Sequence, residues 1–171
     1  MTLEIGQPPT PIAGKSCPIT KTYLVGAFDS TTMMTLAATP TTPGQSVISG
    51  KNGSNIQCSG TGRGGQFEFS GSISAPSSDA SLISISFSNG VVSGENGTAD
   101  VSVYTPQLLA TFGSPVVAPA MPCSFQIVNG QIKGGAMWAT FTCPDIESPP
   151  TGACGILQGL SAVVLEKCTG S

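Results

Sequence analysis

Apolar and polar residues alternate with a period of two along the middle of the chain. Phe67, Phe69 and Ile73 are separated by polar or small residues, and the same alternation recurs over residues 83–87 and 99–103. A period of two is typical of strands with one buried and one solvated face. Asn-Gly dipeptides, which favour tight turns between such strands, begin at Asn52, Asn89, Asn96 and Asn129. The pattern predicts an all-β protein, in which two antiparallel sheets bury their dry faces in a β-sandwich of jelly-roll or immunoglobulin-like type.

The segment from Cys123 to Cys143 predicts one β-hairpin closed by a disulfide. Its two halves alternate apolar and polar residues in the same way. Two turn signals compete within it. Asn129-Gly130 favours a tight type I′ turn, whereas Lys133-Gly134-Gly135 lies midway between the cysteines, as direct pairing of the two cysteines across the hairpin requires. We favour the second turn.

Further strands are expected toward both ends of the chain. Residues 21–28 and 31–39 predict a hairpin, and residues 45–50 predict a short strand. Residues 107–122 hold three prolines, so their later part is expected to form a long crossover loop. The apolar spacing of residues 156–166 suits a short helix, but their glycine and β-branched residues favour a strand in a terminal hairpin.

The chain is expected to form a single domain. Residues 1–16 have the composition of an extended arm or tether, with Pro8, Pro9 and Pro11 among small polar neighbours. Residues 17–171 are enough for one complete core, and nothing in their composition demands a second. We therefore expect one disulfide-stabilised β-sandwich over residues 17–171. No apolar run is long enough to predict a transmembrane helix.

The chain carries unusually little charge. Charged residues make up 9% of the 171 residues, against about 25% in a typical soluble domain, and the net charge is −3. A protein that binds nucleic acid needs a basic cluster, and none is present. The 39% hydrophobic content argues against disorder. We expect a folded protein with a mostly neutral polar surface and no nucleic-acid partner.

The six cysteines indicate disulfide bonds rather than a metal site. They include no CxxC pair and the chain has no histidine, so we predict neither structural zinc nor a cofactor. Pairing by proximity in the sequence joins Cys17 to Cys58, Cys123 to Cys143, and Cys154 to Cys168. Such bonds place the protein in the periplasm, on the outer cell surface or in the medium. No signal peptide is visible, so we expect that a leader, with a possible lipid anchor, was removed upstream of Thr2, or that the protein leaves the cell on a released particle.

The absence of histidine excludes Ser-His-Asp and Cys-His catalysis. A glycosidase would need two of the nine acidic residues to converge in one cleft, but most of them lie beside turn signals. Asp29 with Ser30, or Asp145 with Glu147, could offer oxygens to calcium, yet no Asp-rich loop supports a metal site. Residues 60–65 satisfy GxGxxG, but a strand follows where a dinucleotide site needs a helix, so they predict a β-turn. No catalytic residue is predicted.

Three side chains are the best candidates for contact with a protein or glycan partner. Trp138 is out of phase with Met137 and Ala139, so it faces away from the core if they face it, and is then either covered by another segment or open to a partner. Tyr104 could stack on a sugar ring. Arg63 is the only arginine of the chain and would present its charge at the tip of the Gly-rich turn.

In its low charge, its alternating strands rich in Ser, Thr and Gly, its Pro-rich start and the segment TFTCPDI at residues 140–146, the chain resembles small exported lipoproteins and surface proteins of Gram-negative bacteria, myxobacteria in particular. The resemblance implies export and carries over no functional residue. We expect a non-enzymatic surface protein that serves adhesion, assembly or ligand binding through its loops. Two alternatives stay open: a structural component of a particle, such as a viral or phage decoration or capsid protein, and a glycan-active hydrolase.

Overall fold

The computed structural model describes residues 2–24, 55–76, 82–106, 111–114, 122–133, 136–148, 152–156 and 162–165. Over these residues the chain is built from β-strands joined by turns and loops. The strands are β1 (Thr2–Gly6), β2 (Lys21–Leu24), β3 (Asn55–Arg63), β4 (Gln66–Pro76), β5 (Leu82–Ser93), β6 (Asn96–Tyr104), β7 (Thr111–Gly113), β8 (Cys123–Lys133), β9 (Ala136–Ser148), β10 (Gly152–Ile156) and β11 (Ala162–Leu165).

The strands form one continuous sheet whose neighbouring strands are antiparallel. The hydrogen-bonded order is β10-β1-β11-β9-β7-β6-β5-β4-β3, with β2 beside β1 and β8 between β6 and β9. Strand β11, near one end of this order, also contacts β3 and β4 at the other end, so the sheet folds over on itself. The predicted all-β antiparallel class is confirmed, and the folded sheet is compatible with the two layers of a sandwich.

The middle strands follow the alternation in the sequence. Phe67, Phe69 and Ile73 of β4 are buried and the residues between them are exposed or half-buried. Arg63 pairs with Gln66 across the turn that joins β3 to β4. The two turn residues, Gly64 and Gly65, have φ angles of 58° and 81°, a left-handed conformation that glycine adopts without strain. The GxGxxG stretch therefore contains the end of β3 and a β-hairpin turn at Gly64 and Gly65, and the predicted turn is shorter than the stretch.

Asn89-Gly90 lies inside β5 and does not form a turn. The register of β5 with β6 shifts between Ser88 and Val91, and Asn89 has a φ of 52°, which asparagine tolerates better than most residues. The dipeptide thus forms a β-bulge. The turn itself comes later, at Gly94, whose φ is 61°.

Phenylalanine rings form the centre of the core. The ring of Phe125 stacks on that of Phe141 with centroids 5.5 Å apart and meets the rings of Phe69 and Phe87 edge-on at 5.7 and 5.6 Å. Phe67 lies at the edge of this cluster, 6.4 Å from Phe69. These separations are those of favourable aromatic pairs, so β4, β5, β8 and β9 share one core.

The hairpin predicted between Cys123 and Cys143 is formed by β8 and β9. Its turn is the one that we favoured, because Lys133 pairs with Ala136 across residues 134–135. The competing Asn129-Gly130 dipeptide lies where the register of the two strands shifts. The Cys123–Cys143 disulfide is present, with its Cα atoms 4.2 Å apart.

The other two predicted disulfide pairs, Cys17 with Cys58 and Cys154 with Cys168, are wrong. Cys17 is bonded to Cys154, with Cα atoms 4.6 Å apart. The reason is that the loop before β2 lies along β10. Ser16 forms an isolated β-bridge with Gly152, and the Ser16 carbonyl accepts a hydrogen bond from the Ala153 backbone N–H at 3.2 Å. Cys58 is also disulfide-bonded.

The interpretation of residues 1–16 as an arm overlooks β1. Leu3 and Ile5 are 0% exposed, and β1 pairs with β2, β10 and β11. The short alternation Leu3-Glu4-Ile5 is enough to form a strand once neighbours on both sides satisfy its backbone. Farther along, the Gln7 Nε2 donates a hydrogen bond to the Cys17 carbonyl at 3.0 Å, and the Gln7 Oε1 accepts one from the Cys17 backbone N–H at 3.3 Å. These first residues therefore belong to the folded domain.

Predictions for the remaining segments had mixed outcomes. Residues 21–24 of the first predicted hairpin form β2, while residues 31–39 and 45–50 lie outside the described residues. Residues 111–113 add a short strand that the sequence did not predict. Of residues 156–166, Ile156 ends β10 and residues 162–165 form β11, so the strand interpretation is confirmed over the helix for these residues, while residues 157–161 and 166 lie outside the described part of the chain. However, β10 and β11 pair with β1 and β9 instead of forming a hairpin together.

Candidate functional site

The outward side of β3 to β6 is covered mainly by small neutral polar side chains. Directly opposed residues of antiparallel strands point to the same side of a sheet, so these side chains form rows across the strands. We call this surface the polar face. It comprises the polar residues Asn55, Gln57, Ser59, Thr61, Gln66, Ser70, Ser72, Ser74, Ser84, Ser86, Ser88, Ser93, Asn96, Thr98 and Ser102, the charged residues Arg63, Glu68 and Asp100, and the apolar or aromatic residues Leu82, Val91 and Tyr104.

Side chains of the polar face hydrogen-bond to one another across the strands. The hydroxyls of Ser59 and Ser70 lie 2.9 Å apart, and those of Ser74 and Ser84 lie 3.1 Å apart. Each hydroxyl has one donor and two acceptor positions, so a serine pair that shares one hydrogen bond keeps further positions for a ligand. The face is thus preorganised for neutral hydrogen bonding.

A concavity of about 470 Å³ opens on the polar face, next to another of about 380 Å³ that shares Ser59 and Ser70 with it. It is lined by Ser59, Gly60, Thr61, Glu68, Phe69, Ser70, Asn89, Gly90 and Val91. Its shape depends on the bulge in β5, since Gly90 leaves room for the Phe69 ring, which a Cβ atom at this position would approach to 2.5 Å. At its rim, the Asn89 amide donates to Asp100 at 2.7 Å. The lining thus combines the hydroxyls of Ser59, Thr61 and Ser70 and the Asn89 amide with the Glu68 carboxylate, and glycine, Phe69 and Val91 complete it.

A second group of polar side chains lies on β9. Asp145 and Glu147 are two residues apart on one strand and so point to the same side, where Lys15 forms an ion pair with Glu147. Asp145 is only 7% exposed, and its Oδ1 atom has no hydrogen-bond partner among the described residues. Burial, followed by the charge of Glu147 and a hydrogen bond with it, raises the pKa of Asp145 to about 6, although Lys15 opposes the shift.

The Asp145–Glu147 pair does not have the arrangement of a glycosidase centre. Such a centre holds its carboxyl groups about 5 Å or more apart, on either side of a cleft. Here the two groups are hydrogen-bonded to each other, and neither lines the concavities found on β3–β5, β8 and β9. No group of three or more potential metal ligands occurs among the described residues, and Asp29 and Ser30 lie outside them.

The structure does not bring Arg63 and Tyr104, two of the three predicted contact residues, together. Arg63 is exposed at one end of β3. Tyr104, which is 42% exposed, lies opposite Ser84 at the other end of the polar face, about 25 Å away at the usual rise per strand residue. The backbone of Trp138 pairs with Val164, and its side chain is not among those described. Arg63 and Tyr104 therefore form no common site.

The sequence analysis missed the polar face although its serines are visible in the sequence. They are the polar half of the alternation that predicts the strands, and we interpreted them only as a solvated side. What the sequence lacks is the register, because only the pairing of Ser59 with Ser70 or Ser72 with Ser86 shows that separate serines form one surface.

Comparison of the chain with protein-family models, with curated proteins and with solved structures finds no match. Within the described part of the chain, no helix has the length and apolarity needed to span a membrane.

Proposed function

We propose that the protein is a non-enzymatic binding protein that works outside the cytoplasm and binds neutral glycans through its polar face. The observation that carries this proposal is the concavity of about 470 Å³, which three hydroxyl side chains and one amide line beside a single carboxylate. Sugar hydroxyls both donate and accept hydrogen bonds, and they match side chains that do the same. This proposal places binding on a face of the sheet, whereas the sequence analysis expected binding through loops.

Disulfide bonding supports the proposed location. Cys17–Cys154 and Cys123–Cys143 both lie within one chain, and such bonds persist in oxidising compartments. Thiol titration of the native protein should find no reactive cysteine. Fully reactive thiols in protein isolated under non-reducing conditions would argue for a reducing compartment.

Affinity electrophoresis tests the binding function. The protein is run through gels that contain a neutral polysaccharide, such as glucomannan or hydroxyethyl cellulose, or a sulfated one, such as dextran sulfate. We expect the neutral polymer alone to retard the protein, because the polar face is hydroxyl-rich and the net charge of the chain is −3. Equal mobility in all gels would contradict the proposal, and concentration-dependent self-association without glycan binding would favour a particle component.

A matched pair of variants locates the site. Ser59→Val with Ser70→Val removes the hydroxyl pair that lines the concavity, while valine keeps a high preference for strands. Ser86→Val with Ser102→Val removes an opposed pair of the same face that does not line the concavity. We expect the first double variant to lose most of the retardation and the second to keep it.

A further inference from the structure

Two large hydrophobic side chains are exposed in the described part of the chain, and they lie beside each other on the polar face. Leu82 is 50% exposed and Tyr104 is 42% exposed. Tyr104 pairs directly with Ser84, and Leu82 precedes Ser84 by two residues on β5, so Leu82 is a diagonal neighbour of Tyr104 on the same side of the sheet. Pro76 pairs with Leu82 and is half-buried. We call Pro76, Leu82 and Tyr104 the apolar patch.

Hydroxyl groups flank the Tyr104 ring on both neighbouring strands. Ser84 of β5 and Thr111 of β7 each pair directly with Tyr104. Both side chains therefore lie on the same side of the sheet as the ring, one strand spacing of about 4.8 Å away. The Ser84 hydroxyl lies 3.1 Å from that of Ser74, and Thr111 is exposed. The apolar patch thus has hydroxyl groups at its border on either side of the ring.

The strands around Tyr104 carry little charge. Neither β5 nor β7 contains a charged residue. Asp100 is the charged residue of β6 and lies four residues from Tyr104, about 13 Å at the usual rise per residue. The Asp100 carboxylate also accepts a hydrogen bond from the Asn89 amide at 2.7 Å. Over this distance β5, β6 and β7 offer contacts to an uncharged ligand and none to an ionic one.

From this arrangement we propose that the Tyr104 ring is a stacking platform for one pyranose ring of a neutral glycan. A pyranose ring has a face of C–H groups and carries its hydroxyls around its edge. The C–H face matches an aromatic ring, and the hydroxyls at the edge match the hydroxyls of Ser84 and Thr111 on either side.

This inference rests on the proposed function and adds a second contact on the polar face. Ser70, which lines the concavity of about 470 Å³, is separated from Tyr104 by four residues along β4 and by two strands. These steps amount to about 16 Å at the usual spacings. A polymer that contacts both places binds more tightly than it would at either one alone.

The small size of the apolar patch favours a sugar over a protein partner. An exposed apolar patch also marks many protein–protein contacts, but a stable interface of standard size involves about 20–30 residues on each side around large apolar anchors. Here Leu82 and Tyr104 are each about half exposed, and hydroxyls border them directly. An apolar surface of this extent suits one sugar ring.

Affinity electrophoresis of single variants tests the platform, with dissociation constants taken from the retardation at increasing concentrations of glucomannan or hydroxyethyl cellulose. Tyr104→Thr removes the ring but keeps a hydroxyl and a high preference for strands, and it should raise the dissociation constant about tenfold. Tyr104→Phe keeps the ring and removes the hydroxyl, and it should bind nearly as tightly as the unmodified protein. Leu82→Thr is the matched control. It removes a similarly exposed apolar side chain from the same patch and should have a clearly smaller effect than Tyr104→Thr.

The outcomes separate the platform from the proposed function. If Tyr104→Thr binds as tightly as the unmodified protein, or if Leu82→Thr loses as much affinity as Tyr104→Thr, stacking on Tyr104 is overturned, while retardation of the unmodified protein still supports glycan binding. Equal losses in Tyr104→Phe and Tyr104→Thr would assign the contact to the phenol hydroxyl and also overturn stacking. If no neutral polymer retards the unmodified protein, both proposals are overturned, and self-association that Tyr104→Thr abolishes would then assign the apolar patch to a protein contact.

Discussion

Cys17 and Cys154 are bonded although they are 137 positions apart in the sequence. The bond connects the loop between β1 and β2 to β10, beside the bridge of Ser16 to Gly152 and the ion pair of Lys15 with Glu147. One short loop is therefore held to the second half of the chain by covalent, backbone and charged contacts together. This arrangement closes the sheet region that contains the buried β1.

Removing the Cys17–Cys154 bond should cost more stability than removing the Cys123–Cys143 bond. In the chain-entropy model a disulfide stabilises by restricting the unfolded chain, and the effect grows with the loop that it closes. Separations of 137 and 20 residues correspond to about 4–5 and about 3 kcal/mol. Urea unfolding of the two paired Cys→Ser variants measures both. A larger loss for Cys123→Ser with Cys143→Ser would contradict this order.

The sequence predicted those features that depend on local pattern. The alternation around Phe67 and Ile85 predicted strands, and the Gly-rich stretch at Arg63 predicted a turn. The features that it missed depend on contacts between distant segments. Nothing near Cys17 indicates that Cys154 lies against it, because that contact is created by the pairing of β10 with β1 and β9.

Asn89 shows a different limit of prediction from the sequence. Its Asn-Gly dipeptide has the chemistry of a turn, but the left-handed conformation that suits a turn also suits a bulge. Only the continued pairing of β5 with β4 and β6 decides between them. The polar face has the same origin, since its serines become one surface only through strand register.

Asp145 should make the protein less stable as the pH rises through the acidic range. Its pKa is 3.8 ordinarily and about 6 in the folded protein, so the folded state holds the proton more tightly than the unfolded state. The stability linked to this proton is present in full below about pH 4 and is lost as the pH rises to about 6 and above. Asp145→Asn should remove this loss.

The measurement is the free energy of unfolding of both proteins across that pH range. Subtracting one free energy of unfolding from the other removes the contributions of the other titrating groups. This difference in free energy should change between about pH 4 and 6 and be constant above pH 6. Glu68→Gln removes an exposed carboxylate of the polar face and serves as the control, with no comparable difference expected. If the free energy of unfolding of Asp145→Asn changed with pH as that of the unmodified protein does, the assignment of this pH dependence to Asp145 would be contradicted.

Gly90 should not tolerate a side chain, although it lies in a strand. A Cβ atom there would lie 2.5 Å from the Phe69 ring, so Gly90→Ala must displace a buried aromatic ring and should cost about 1–3 kcal/mol. Gly62→Ala is the matched control, since a Cβ at that position of β3 meets nothing within 4 Å. In thermal unfolding, the midpoint temperature should fall for Gly90→Ala and should not fall for Gly62→Ala.

Phe125 should contribute more to stability than Phe67. The Phe125 ring contacts those of Phe69, Phe87 and Phe141 and is 2% exposed, so Phe125→Ala opens a cavity at the centre of the core and should cost about 3–5 kcal/mol. Phe67 lies at the edge of the cluster and is 7% exposed, where solvent and the nearby turn can fill part of the space. Phe67→Ala should therefore cost clearly less in urea unfolding. Equal losses of stability in the two variants would mean that the core does not depend on the contacts of Phe125 with the other three rings.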